Sequence, residues 1–74
     1  MITVYSNPNC MPCETTKRYL TQKNIPFESK MIQDSPEVLP IIEANGYKSA
    51  PIVVTENDSW SGFKLEKLAQ LVGK

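Results

Sequence analysis

Apolar and polar positions divide this chain into short alternating blocks. "ITVY", Ile2 to Tyr5, is a β-branched run that breaks at Ser6, Asn7, Pro8 and Asn9, so it predicts a strand feeding a loop. From about Met11 to Lys23 helix formers dominate. Pro12 falls where a first helical turn tolerates it, and Asn24 stands as a stop before Ile25-Pro26. "FESKMI", Phe27 to Ile32, alternates modestly and predicts a second strand. Asp34-Ser35-Pro36-Glu37 has the form of a helix start, but Pro40 would remove a backbone hydrogen bond shortly after it. Either the first turn is irregular or the helix proper begins near Pro40. Asn45-Gly46 ends it.

"APIVV", Ala50 to Val54, reads as a buried strand, and Glu56-Asn57-Asp58 turns it into a short final strand ending near Trp60. In "GFKLEKLAQLVGK", Leu65, Leu68, Ala69 and Val72 recur at helical spacing with Lys and Glu between them, which predicts a last amphipathic helix with Gly73 at its end. The order is βαβαββα. A parallel first pair of strands requires a crossover helix, so the pattern predicts one α/β domain over residues 1–74, a four-stranded mixed sheet flanked by three helices on its two faces. Repeats, linkers and low-complexity segments are absent from the sequence.

Composition then narrows the function. A domain of 74 residues buries only about 60% of the surface of its unfolded chain, so it depends on an economical fold or a staple. Eight basic residues balance eight acidic ones, which provides no net field for nucleic acid or an anionic membrane. "MITVYS" lacks a basic leader and no long apolar segment follows, so the expectation is a cytoplasmic protein without a membrane span.

Both cysteines lie in "YSNPNCMPCETTKRYL", at positions 10 and 13, where the first strand gives way to the first helix. A disulfide between them closes a tiny loop and removes little entropy from the unfolded chain, so it is a poor staple. Structural zinc wants four Cys or His ligands, and with two cysteines and no histidine a zinc site would have to borrow ligands from a second chain. C-x-x-C after the first strand of a βαβ unit is the placement of a redox pair. Cys10 sits in the loop, where the unpaired N–H groups and positive end of the helix favour its thiolate, which marks it as nucleophile. Cys13, in the first turn, is then the thiol that resolves the mixed disulfide. Lys17, one turn on, either favours the thiolate further or is simply solvated.

Four blocks carry a resemblance over essentially the whole chain: "CMPC" followed by "TKR" (Thr16 to Arg18), "GYKSAPIVV", and "WSGF" (Trp60 to Phe63). The sequence resembles the NrdH-redoxin family, glutaredoxin-like proteins of the thioredoxin fold with thioredoxin-like activity. The resemblance implies a monomeric dithiol-disulfide oxidoreductase without a cofactor, donating electrons to class Ib ribonucleotide reductase and reduced by thioredoxin reductase with NADPH. It also implies a partner-binding surface formed by Met11, Pro12, Lys17, Lys48, Ala50, Pro51, Trp60, Ser61, Gly62, Phe63 and Lys64. Pro51 corresponds to the proline held cis in that fold, where it would leave the Ala50 backbone free to pair with a substrate strand; a trans proline opening a strand is the plain alternative. Two departures stand out. Pro12 replaces a frequent glutamine, which should shift the reduction potential, and Lys64-Leu65 replaces the Arg-Pro that usually follows W-S-G-F.

Other functions compete. A glutathione-dependent glutaredoxin typically has Gly-Gly and then an acidic residue where this chain reads Ser61-Gly62 and then Phe63-Lys64. An iron-sulfur carrier would need a dimer and added thiols. A transcription regulator or arsenate reductase of related fold carries a long helical insertion that this chain lacks. Trp60 and Phe63 have a core reading beside the partner-binding one, the stronger for Phe63. Ser61 or Gly62 has a second reading as the start of the last helix, and Lys17, Lys48 and Lys64 one as scattered solvated charges rather than a positive rim.

Overall fold

In the computed structural model, which describes residues 2–72, strand β1 (Ile2–Ser6) sorts the molecule into two faces. Successive side chains on a strand point to opposite sides. Val4 therefore joins Leu20, Val53, Trp60 and Leu68 in one buried cluster, while Tyr5 joins Val38 and Ile52 in another. Helices α1 (Met11–Gln22) and α3 (Leu65–Val72) supply Leu20 and Leu68 to the first cluster. The second lies under helix α2 (Leu39–Asn45), whose Ile41 and Ile42 pack against it.

The remaining strands are β2 (Phe27–Met31), β3 (Ile52–Val54) and β4 (Ser59–Ser61), in the spatial order β2-β1-β3-β4. β1 and β2 are parallel, with Ile2 opposite Phe27 and Ser6 opposite Met31. β3 runs antiparallel to both β1 and β4, pairing Tyr5 with Ile52 and Val53 with Trp60. The four-stranded mixed sheet with helices on both faces matches the sequence pattern.

Helix ends explain the boundaries. Asn24 adopts φ 57°, its N–H reaches the Thr21 carbonyl at 3.1 Å, and the Ile25 N–H reaches that of Leu20 at 2.9 Å, a left-handed stop made by asparagine in place of glycine. Gly46 ends α2 at φ 67°, with the Tyr47 N–H on the Ile42 carbonyl at 3.1 Å. Pro40 falls at the start of α2, where a missing N–H costs nothing, and the chain before it forms two 3₁₀ turns, Ile32–Asp34 and Pro36–Val38. Both readings of Pro40 are thus realised: an irregular lead-in and a helix that begins beside the proline.

Three details depart from the sequence reading. Ser6 is not a turn residue but the last residue of β1, and Ile32 leaves β2 for a 3₁₀ turn. In α3 the buried residue is Leu68, with Leu71 packed partly buried on the same cluster, whereas Leu65 (54% exposed), Ala69 and Val72 (41%) face outward. The last helix therefore docks through the Leu68–Leu71 edge, not the Leu65–Leu68–Ala69–Val72 stripe. Finally, α3 starts at Leu65, and the carbonyl of Lys64 accepts its first N–H groups, from Lys67 and Leu68, so neither Ser61 nor Gly62 caps it. The predicted end of this helix at Gly73 lies outside the described residues.

Candidate functional site

The end of β1 delivers the chain into a tight loop, with Asn9 in the left-handed region at φ 56°, that places Cys10 as the N-cap of α1. Cys10 has extended backbone angles, its carbonyl accepts the Glu14 N–H at 3.1 Å, and its Sγ accepts the Cys13 N–H at 3.2 Å. The sulfur thus takes the position that a serine or aspartate oxygen occupies at most helix starts, satisfying one of the orphan donors of the first turn. Pro12 fits within that turn because its missing N–H would have been unpaired there.

Cys10 and Cys13 are joined in a disulfide, with their Cα atoms 5.3 Å apart. Their exposures differ sharply. Cys13 is completely buried beneath α1, whereas Cys10 is only partly covered and Met11 beside it is 73% exposed. An incoming thiol can therefore reach one sulfur and not the other. Thr16, also fully buried, donates its hydroxyl to the Pro12 carbonyl at 2.8 Å and pins the first turn from below.

Sheet register brings the other sequence blocks to the same end. Ile52 lies opposite Tyr5, so Pro51, one residue earlier, opens β3 beside the end of β1 from which the Cys10 loop departs. The Ala50–Pro51 peptide is cis, and Pro51 is buried. The Pro51 carbonyl accepts the Gly62 N–H at 2.8 Å, and Ser49 Oγ donates to Ser61 Oγ at 3.5 Å, which ties the proline loop to the turn after β4. Gly62 turns with φ 80°, a conformation open to glycine.

The partner-binding candidates divide by exposure. Trp60 is 4% exposed and belongs to the core cluster, so it supports the turn from inside. Phe63, expected in the core, is 40% exposed, because it follows β4 in the loop ahead of α3; the apolar surface of this turn is Phe63 alone. Lys48 and Lys64 are exposed, while Lys17 is drawn to Glu14 on the same helix at 3.2 Å. Reading the sequence missed Ser6, whose buried hydroxyl has no hydrogen-bond partner; extending the alternation of Val4 by two residues would have turned it inward.

Among the described residues no group of three or more His, Cys, Asp or Glu is placed to hold a metal ion, and no helix is long and apolar enough to cross a membrane. A cavity of about 690 Å³ lies away from the cysteines, between the start of β1, the β3–β4 turn and α3, lined by Ile2, Asp58, Trp60, Lys67 and Leu71 among others. The disulfide does not line it. Among the described residues, the cysteine pair is where a reactive group and a helix start coincide, which makes it the candidate site.

Known proteins share this arrangement. The family model described as glutaredoxin matches residues 2–60. The glutaredoxin-like protein NrdH of Lactococcus lactis is 35% identical over 96% of this chain and 99% of its own. That of Escherichia coli is 31% identical over 95% of this chain and 86% of its own. The solved structure of Escherichia coli NrdH-redoxin, a glutaredoxin-like protein with a thioredoxin-like activity profile, superposes with a TM-score of 0.84 at 31% identity, covering 95% of this chain and 92% of that one. With this fold, this pairing of strands and a C-x-x-C disulfide at the first helix start, the chain belongs to the glutaredoxin family and is a thiol-disulfide oxidoreductase.

Proposed function

We propose that this protein is a dithiol electron donor of the NrdH-redoxin kind, a cytoplasmic monomer without a cofactor. In this reading it is reduced by thioredoxin reductase with NADPH and passes its electrons to class Ib ribonucleotide reductase. The observation that carries the reading is the unequal burial of the two sulfurs around one helix cap: Cys10 partly open and hydrogen-bonded to the Cys13 N–H, Cys13 fully enclosed.

Each step follows from that asymmetry. In the reduced protein Cys10 is the thiolate, stabilised by the N–H groups of the first turn. It attacks a client disulfide, forms a mixed disulfide and releases one client sulfur as thiolate. Cys13 then loses its proton and attacks Cys10 Sγ, the bond from Cys10 to the client breaks, and the second client sulfur leaves. Two electrons have moved to the client, and the Cys10–Cys13 disulfide has formed. Met11, Pro12, Ala50, Ser61, Gly62 and Phe63 form the docking surface, with the buried Pro51 and Trp60 beneath it. Lys48 and Lys64 give its rim a positive charge suited to an acidic, cysteine-bearing tail, and Lys17 adds less because Glu14 already engages it.

Phe63 and Lys64 also bear on the electron source. Lys64 would repel the ammonium group of a glutathione glutamyl moiety, and Phe63, 40% exposed, offers apolar contact to a protein instead. Reduction of the disulfide is therefore expected to be efficient with NADPH and thioredoxin reductase, and slow and non-saturating with glutathione and glutathione reductase. Both couplings can be followed by NADPH absorbance. Saturable turnover with glutathione that survives Lys64→Asp would return the protein to glutathione-dependent chemistry. The thiol roles are tested separately. Cys13→Ser should accumulate a mixed disulfide through Cys10, whereas equal alkylation rates of the two thiols at mildly acidic pH would overturn the assignment.

A further inference from the structure

Met11 is the most exposed of the large apolar side chains among the described residues, at 73%. It follows Cys10 directly and opens α1, where its carbonyl accepts the Thr15 hydroxyl at 3.0 Å. The backbone is thus held in the first turn, and the side chain is left in water beside the accessible sulfur. Met31, the other described methionine, lies within β2 and is half-buried.

An oxidant meets the sulfurs of this chain in an order that depends on the state of the cysteines, because reactivity toward peroxide follows thiolate character and exposure. In the dithiol form Cys10 comes first. Its thiolate takes one oxygen from hydrogen peroxide and becomes a sulfenic acid, and the other peroxide oxygen leaves as hydroxide. The Cys13 thiol then displaces the sulfenic oxygen as water, and the disulfide closes. In the disulfide form no cysteine is free, and the exposed thioether of Met11 is the sulfur that peroxide reaches next.

We propose that Met11 is an oxidation switch on the docking surface: once the disulfide has closed, hydrogen peroxide converts its thioether to the sulfoxide, which weakens docking of a protein disulfide and leaves the chemistry at Cys10 intact. A lone pair on Met11 Sδ attacks one peroxide oxygen, an S–O bond forms and the O–O bond breaks. The second oxygen takes a proton and leaves as water. Sulfur gives up two electrons and peroxide receives them. The product is polar and carries a strong acceptor at a place where docking removes water, and an acceptor buried there without a donor costs affinity. A small disulfide needs only Cys10 Sγ and not the surface around it. Protein kept reduced is therefore protected, whereas protein left oxidised is silenced until the sulfoxide is repaired.

The inference rests on the placing of Met11 in the docking surface. Peptide mapping by mass after peroxide treatment should show the disulfide closing before any sulfoxide forms, and Met11 oxidised ahead of Met31. Met1 is followed in its own peptide. The treated protein, reduced with dithiothreitol, is then compared with untreated protein on two probes. The insulin concentration giving half-maximal reduction should rise about five- to tenfold, and the rate with hydroxyethyl disulfide should hold. Methionine sulfoxide reductases for both epimers should restore the insulin value. Met11→Leu, of similar volume, should give the same insulin value with and without peroxide. Met31 or Met1 oxidised as fast as Met11, insulin kinetics unmoved by the sulfoxide, or an equal loss with hydroxyethyl disulfide would each overturn the switch. Met11→Ala in untreated protein separates the two levels of failure. If it raises the insulin value while the sulfoxide does not, docking through Met11 stands and the switch falls; if neither moves it, the docking role falls as well.

Discussion

The two faces of the sheet are built on different principles. Beneath α1 and α3 the core is Val4, Leu20, Val53, Trp60 and Leu68, groups that do not titrate; of the buried polar atoms there, Thr16 Oγ1 is paired with the Pro12 carbonyl, and Ser6 Oγ and Trp60 Nε1 are left unpaired. Beneath α2 the buried set is smaller, and polar bonds supplement it. Tyr5 donates its hydroxyl to Glu37 at 3.2 Å, Lys30 reaches the same carboxylate at 3.4 Å, and Tyr47 and Ser59 share a bond at 2.8 Å. The core of the face that carries the thiols is almost wholly apolar, with its ion pairs, Lys17–Glu14 and Lys67–Asp58, kept at the surface, whereas the other face reaches from a buried tyrosine out to surface charges. A redox pair benefits from that division: the potential of a thiolate is then set by the few dipoles aimed at it.

Three measurements sharpen this contrast, in falling order of effect. Leu20→Ala opens a cavity in the apolar face directly beneath the cysteine helix and should cost about 2–5 kcal/mol in denaturant unfolding, with the lower end reached only if the core collapses. Gly46→Ala acts on the other face through backbone strain. An added Cβ meets nothing within 4 Å, so the penalty of roughly 1–2 kcal/mol comes from the left-handed conformation alone. A loss as large as that of Leu20→Ala would show that α2 carries more of the fold than its burial suggests.

The third and smallest effect is pH dependence. Glu37 has its pKa lowered, first by a hydrogen bond from its own backbone and then by Lys30 and Tyr5, so folding favours its charged form. That contribution is complete above the ordinary carboxylate pKa and is lost as pH falls through the lower, folded value. Tyr5 is shifted the other way, raised chiefly by burial and then by the Glu37 charge, so its contribution is present up to the ordinary tyrosine pKa and fades as pH rises through the folded one. Glu37→Gln keeps an acceptor for Tyr5 and removes the charge. Its melting temperature should fall less steeply on acidification than that of the parent, measured at low salt, and equal slopes would mean that Glu37 is not linked to folding.

Much of this was readable from the sequence because local rules governed it. The order of elements followed from period-two and helical runs separated by Asn, Pro and Gly, and Asn24 and Gly46 stop their helices by the left-handed geometry those residues tolerate. C-x-x-C at a helix start followed from its place after the first strand. What escaped was tertiary. "LEKLAQLV" contains two overlapping apolar faces, and only docking against Val4 and Val53 selects Leu68 and Leu71 over Leu65, Ala69 and Val72. Phe63 lies outside the core favoured for it, and Trp60 takes the core reading of its two, for the same reason: Trp60 lies within β4 opposite Val53 and is carried into the core by that pairing, while Phe63 follows the turn at Gly62. Ser6 needed the length of β1, which its composition alone did not reveal.

Strand order has a further consequence for life at high concentration. With β1 and β3 in the middle, β2 and β4 are left as the open edges of the sheet. Unpaired edge strands invite other chains to add on and grow into fibrils. β4 offers three residues, too short to template much, and the turn at Gly62 ends it. β2 is longer, five residues, but its outer stretch is Glu28, Ser29 and Lys30, where an invading strand would have to align against both signs of charge. The same small sheet that presents a reactive sulfur at one end thus discourages its own polymerisation along both sides.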